Sequence, residues 1–361
     1  MNPDFSLCND SFWEKKKKTL SPESVQRLER QAESLLNQPG FSVVHKTVPS
    51  LSGNLHDYVS ISAYDWPNPD TPAGIPWIKK DGVLNPDFEK YDYTPLKKMC
   101  KSVGCLAAAS RLTGRMDFAA KAGFFLKYWF LDPETAMTPH FRFAQFVPGN
   151  PAGSPWGLID SHFFCYLLEA ASALAFSKEW TESDLEKLKI WFMKYFIWFI
   201  SDPNAVQEDE QGRTNHGSWY DAQFCAIAMF LRNPDLAIRH IETRCFPRLD
   251  IQLLNNGQMP FELYRTASFS YSTFNLEAWS RTSAYAKKMG LDLWNHLTKD
   301  HASLHQAFEY MRPYWNGEKQ WEYLQISKAA KPDRVYEMLH DFIQPECPLS
   351  EELIFPCCCG N

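Results

Sequence analysis

Residues 182–201 read ESDLEKLKIWFMKYFIWFIS. Apolar side chains return every three or four positions, through Leu185, Leu188, Trp191, Phe192, Tyr195 and Phe199. That is the period of a helix with a wide buried face. Residues 158–177, LIDSHFFCYLLEAASALAFS, are just as apolar, and only a short polar break separates the two. Such a pair reads as an antiparallel helical hairpin.

The same reading extends in both directions. TPLKKMCKSVGCLAAASRLTG (94–114) opens on Thr-Pro, closes on Gly114, and is followed by DFAAKAGFFLKYWFL (117–131). SWYDAQFCAIAMFLR (218–232) pairs with PDLAIRHIETRCFPRLDIQL (234–253), and STFNLEAWSRTSAYAKKMG (272–290) with HASLHQAFEYMRPYWN (301–316). ESVQRLERQAESLLN (23–37) precedes the hairpins and PDRVYEMLHDFI (332–343) follows them. Runs of alternating β-branched residues are scarce, so strands should be few. Stacked hairpins make either an open solenoid or a closed α/α toroid, and the lack of a strict repeat favours the toroid. No linker or change of composition divides the chain, so residues 1–361 read as one all-α domain.

Two irregular segments interrupt the helices. Residues 41–82 and 132–156 are rich in Pro, Gly and aromatics. The first is too long for a plain connector and should be a lid or a cover. In a toroid such loops gather at one mouth and line a cleft.

Composition narrows the function. The 361 residues are 45% hydrophobic and 15% aromatic, which suits a thick helical core and a cleft that stacks sugar rings. The net charge of −6 gives no reason to expect nucleic acid, and a polyanionic substrate would need a locally positive cleft. No run is long and apolar enough to span a membrane. The first twenty residues carry no apolar core of a secretory signal. Ten cysteines show no zinc-binding spacing; Cys100, Cys105, Cys165 and Cys225 read as small core residues, and no metal or cofactor is expected.

Polar chemistry concentrates in two places: NHGSWYD (215–221) and GQMPFELYRTASFSYSTFNL (257–276). Together they supply Asn215, His216, Arg265 and Tyr271. Arg and Asn can hold a carboxylate, Arg through its fork. His can donate a hydrogen bond or take a proton near neutrality. A Tyr can act as a base where cations stabilise its phenolate, and can then return the proton. β-Elimination on a uronic acid needs this combination. Neutralising the carboxylate makes the C5 proton removable, and the departing O4 then needs a proton.

TNHGSWYDAQ (214–223), ELYRTASFSYSTFNLEA (262–278), HDYVSISAYDWPNPDTPAGIPWIKKDG (56–82), WGLIDSHFFCYLLEA (156–170) and YMRPYWNGEKQWEYLQI (310–326) together resemble the alginate lyase superfamily of polysaccharide lyases. The likeness runs over about 54–340 and is nearest the glucuronan/alginate lyase branch, in which the Arg and Tyr are six residues apart. It leaves out residues 1–53 and the tail from 345, which ends PCCCGN. It implies an α/α toroid that cleaves a β-1,4-linked glucuronan or mannuronate-rich alginate. It also implies Asn215, His216, Arg265 and Tyr271 as the catalytic set, and an exported protein. GNPAGSPWGLID (149–160) lacks the Arg-bearing turn of many relatives.

Where H5 and O4 lie on the same side, Tyr271 can be both base and acid. Where they are anti, His216 can be the base, and the sequence leaves the choice open. Tyr64, Trp66, Trp77, Gln145, Trp156, Arg213 and Trp219 are candidates to bind the polysaccharide, with His140 behind them. The bland readings are a packed near-core His216, an Arg265 paired with Glu262 one turn away, and a Tyr271 that only packs. Two other functions fit the composition: a glycoside hydrolase using Asp160 and Asp221, and an inactive carbohydrate-binding protein.

Overall fold

The computed structural model describes residues 6–49, 51–150, 154–333 and 335. The helix expected over 332–343 lies outside these residues except at its start, and the PCCCGN tail lies outside them entirely. The fold is all-α, an α/α toroid built of helical hairpins. Its contacts divide into two compact units: the described residues up to Lys79 with Leu84–Ala205, and Lys80–Val83 with the described residues from Val206 onward.

In the first unit, α1 (Asp10–Thr19) and α2 (Pro22–Leu35) pack on α3 (Tyr93–Thr113). Helix α3 forms a hairpin with α4 (Met116–Phe130), and its end is set by Gly114 at φ 78°, the left-handed conformation that glycine adopts without a steric penalty. Helices α5 (Phe164–Ala173) and α6 (Glu182–Ser201) follow. Helix α6 starts at a reciprocal cap, where Thr181 and Asp184 each bond the other's backbone N–H. Its inward face carries Trp191, whose ring lies 4.7 Å from Phe130 and 5.7 Å from Tyr195. Fully burying side chains of this size contributes about 2–3 kcal/mol each.

Residues 155–163 form a 3₁₀ helix, so the α-helix expected from Leu158 begins only at Phe164. Ser161 Oγ donates to Leu158 O, and His162 Nδ1 meets Ile159 O. Both bonds reach back three residues, the spacing of the tighter helix. Strands are short. β1 (Val59–Ile61) pairs in parallel with β4 (Phe143–Phe146), and β2 (Asp65–Trp66) pairs antiparallel with β3 (Ile78–Lys79).

The second unit centres on α8 (Asn215–Phe230) packed along α12 (Ser268–Lys288). Helix α7 (Pro203–Gln211) enters it, α9 (Pro234–His240) packs on α8, and α10 (Phe246–Gln252), α11 (Pro260–Leu263) and α13 (Leu304–Trp315) complete it. A π-helical turn, Ile241–Cys245, joins α9 to α10, and the Phe246 N–H reaches back to Ile241 O. Pro247 follows at once and has no N–H to offer an α-helical ladder. Cys8, Cys100, Cys105, Cys165, Cys225 and Cys245 are buried free thiols.

Candidate active site

Both polar segments start helices of the second unit. Helix α8 begins three residues before the expected position, which puts Asn215 and His216 in its first turn behind the cap Thr214. Helix α12 begins four residues before the expected position, which puts Tyr271 in its first turn.

Small residues behind the pair allow the chain to close tightly. A Cβ on Gly217 would collide with the Gly212 carbonyl and with Arg248 Nη1. Ser218 Oγ bonds Asn275 on α12 and donates to Asn215 O at 3.1 Å.

The two segments meet through Glu262. Its carboxylate accepts from the Asn215 backbone N–H at 2.6 Å and from Asn215 Nδ2 at 3.0 and 3.2 Å. Glu262 is fully buried, and burial raises its pKa against the pull of the Asn215 bonds, Arg265 and His216. The charges of Arg265 and His216 both act on this one carboxyl group.

Arg265 differs from expectation in its partner. Its Nε and Nη2 donate to Asp81 at 3.2 and 2.7 Å. The fork assigned from sequence to a substrate carboxylate is therefore occupied, and the partner is Asp81 rather than Glu262. Asp81 also accepts from Thr266 N at 3.2 Å and Thr266 Oγ1 at 3.0 Å. Burial pushes the Asp81 carboxyl up, but the Arg265 and Thr266 hydrogen bonds outweigh it and hold it at about 2. The guanidinium carbon of Arg265 lies 3.7 Å from the centroid of the Tyr271 ring, a cation–π stack.

His216 is partly exposed, and its Nδ1 lies 2.9 Å from Oε1 of the buried Glu208 on α7. Behind it, Arg248 donates to Asp221 Oδ2 at 2.7 Å, to Asp209 Oδ1 at 2.7 Å, and to the carbonyls of Asp209 and Gly212 at 3.0 Å each. His240 Nε2 meets Asp221 Oδ1 at 2.8 Å. Burial raises the Asp221 carboxyl, but Arg248 and His240 overcome it and hold it below its ordinary value. The ligand atoms of Asp221, His240 and Cys245 lie within 4.8 Å of one another. A guanidinium fills the carboxylate's acceptor positions there, so the cluster is an ion-pair anchor for α8 rather than a cation cradle.

The carbohydrate-binding candidates are less uniform. Trp219 is fully buried with its ring 4.9 Å from Phe274, so it is a core residue with no face to offer a sugar. It lies one turn into α8, and the packed α12 covers that face. Gln145 sits in the left-handed region (φ 48°) with its N–H on Ser60 Oγ and its Nε2 on Asp160 Oδ1 at 2.8 Å. It braces Asp160. Trp77 packs beside the cluster of Val59, Ile61, Phe88 and Phe146. Tyr64 and Trp66 are half-buried, while Trp156 (38% exposed) and Arg213 face solvent. His140 Nε2 lies 3.2 Å from Asp57.

Asp160 is buried and also accepts from Tyr58 at 2.9 Å and Ser60 at 2.5 Å. Asp160 and Asp221 are thus saturated structural carboxylates, the wrong setting for a glycosidase acid and nucleophile that must reach substrate.

The alginate lyase family model matches residues 42–321. An alginate lyase from Bacteroides ovatus shares 33% identity and superposes with a TM-score of 0.87, covering 98% of this chain and 95% of that one. Alginate lyase A1-III from Sphingomonas species A1, at 13% identity and a TM-score of 0.51 over 90% of this chain and 89% of that one, shares the fold. A substituted form of alginate lyase A1-III, complexed with a tetrasaccharide, does so at 13% identity and a TM-score of 0.52, over 90% and 88%. No curated protein matches the chain. The chain belongs to the alginate lyase family of polysaccharide lyases. No helix among the described residues is long and apolar enough to cross a membrane.

Proposed function

We propose that the protein cleaves a β-1,4-linked uronic acid polymer, glucuronan or mannuronate-rich alginate, by β-elimination. Arg265 brings positive charge to the substrate carboxylate, while Asn215, buried with its Nδ2 on Glu262, fixes the helix start that presents His216 rather than gripping the carboxylate itself. His216 takes the Tyr271 phenol proton at Nε2, and the phenolate then removes H5 and returns that proton to the departing O4. The observation that carries this reading is the Arg265–Tyr271 stack at 3.7 Å. A phenolate needs an adjacent cation, and this cation is itself fixed by Asp81. Because two of its donors face Asp81, Arg265 has Nη1 left to reach the substrate, and its stronger effect falls on Tyr271.

The exported location that the family resemblance implies belongs to this proposal as well, as does the single-domain reading of 1–361. The test is a panel of glucuronan, polymannuronate and polyguluronate, followed by the ultraviolet absorbance of the unsaturated product. Chromophore formation on the first or second polymer supports the reading. Reducing ends without a chromophore would mean hydrolysis, and binding without turnover would mean a lectin-like protein.

A further inference from the structure

We propose that Glu208 is a positioning residue for His216, holding the imidazole with Nδ1 as the donor so that Nε2 is the nitrogen left to take the Tyr271 proton. The inference rests on the reading of His216 as part of a lyase site.

Glu208 lies on α7 and is 1% exposed, with Oε1 2.9 Å from His216 Nδ1. A carboxylate oxygen at hydrogen-bonding distance accepts the imidazole N–H, which places the proton of a neutral imidazole on Nδ1. Nε2 is then left with its lone pair. When Nε2 takes a proton, the imidazolium formed keeps its Nδ1–H on Glu208.

The placement of the two groups is built into the fold. Glu208 and His216 lie on different helices joined by a tight connection, and α10 grips that connection. Arg248 holds the Asp209 and Gly212 carbonyls and ties them to Asp221 on α8. Gln252 Nε2 adds a bond to Thr214 O at 2.8 Å. Gly212 and Gly217 touch with no room for a side chain on either. The separation between carboxylate and imidazole is therefore set by a braced backbone, not by two free side chains. That is the arrangement a tautomer lock requires.

The test combines a spectroscopic and a kinetic measurement. In protein labelled with ¹⁵N-histidine, long-range ¹H–¹⁵N spectra report the tautomer of each neutral imidazole, and comparison with His216→Gln assigns the signal. The wild type should show His216 as the Nδ1–H tautomer. Glu208→Gln keeps the size but can donate from its amide, and should give a mixed or Nε2–H signal. Its kcat on the active polymer should fall about 10- to 100-fold with KM within about threefold, at an unchanged circular dichroism spectrum. An Nε2–H tautomer in the wild type, or a Glu208→Gln kcat equal to wild type, overturns the proposal. The wild-type tautomer is read without Glu208→Gln, so the proposal remains testable if that variant misfolds. That measurement also stands if no uronate polymer is cleaved, so failure of the lyase reading and failure of this inference give different results.

Discussion

Replacing Asp81 with Asn should destabilise the protein in a way that depends on pH. Asp81 titrates at about 2 in the folded state against an ordinary 3.8. That difference corresponds to about 2.5 kcal/mol at neutral pH. The side chain is 24% exposed, so solvent screening trims the expectation to about 2 kcal/mol. The folded pKa is depressed, so the contribution is present above the unfolded value and is lost as pH falls toward 2. By pH 3 about half should remain. Urea denaturation of wild type and Asp81→Asn at pH 7, 5 and 3 measures the difference, because the other titrating groups are common to both. A gap of about 2 kcal/mol at pH 7 that narrows to about 1 at pH 3 is expected. A gap under about 0.5 kcal/mol at pH 7, or one that does not change with pH, would show that the Arg265 and Thr266 bonds do not hold this carboxylate ionised.

Other substitutions probe separate parts of the account. Gly217→Ala forces a methyl group into the Gly212 carbonyl, and should cost about 1–3 kcal/mol in unfolding free energy together with most of the activity. In the first unit, the side chains of Lys46 and Asp92 pair at 3.2 Å while 1% exposed, and burial raises Asp92 to about 7 against the pull of Lys46. Lys46→Met strands that buried carboxyl and should lower stability by about 3–5 kcal/mol at pH 8, read by chemical denaturation, with a smaller loss at pH 5, where Asp92 takes up a proton. Trp219→Leu should destabilise by about 2–4 kcal/mol without changing KM, as befits a core ring; a raised KM in a stably folded variant would return it to the binding surface.

The helices were legible because their apolar residues recur at a short, local period. ESDLEKLKIWFMKYFIWFIS became α6 with the same ends. The 3₁₀ helix over 155–163 and the π turn before Pro247 were not, since each depends on which carbonyl a given N–H reaches. The site was half legible. Asn215, His216, Arg265 and Tyr271 stand out as unusual polar residues among apolar ones, whereas the bond between Glu262 and Asn215 spans 47 residues and leaves no local pattern. Asp81 was hidden by distance, because it lies 184 residues before Arg265. In IKKDG it is one acid beside two lysines in an irregular segment, with nothing local to mark its partner. Glu208 was hidden by its surroundings. In QEDEQG it looks like one more surface acid, and only the packing of α7 shows that it is buried. Trp219 failed the other way: a Trp beside a polar pair looks available, but a helix period cannot say which neighbour covers it.

The central claim is that Tyr271 carries the proton in an elimination reaction. Tyr271→Phe removes one hydroxyl and leaves the ring under Arg265 in place. With the polymer that the wild type cleaves, product absorbance should show kcat falling about 10²- to 10⁴-fold while oligosaccharide affinity stays within a few-fold. Chromophore release by Tyr271→Phe at close to the wild-type rate would contradict the account.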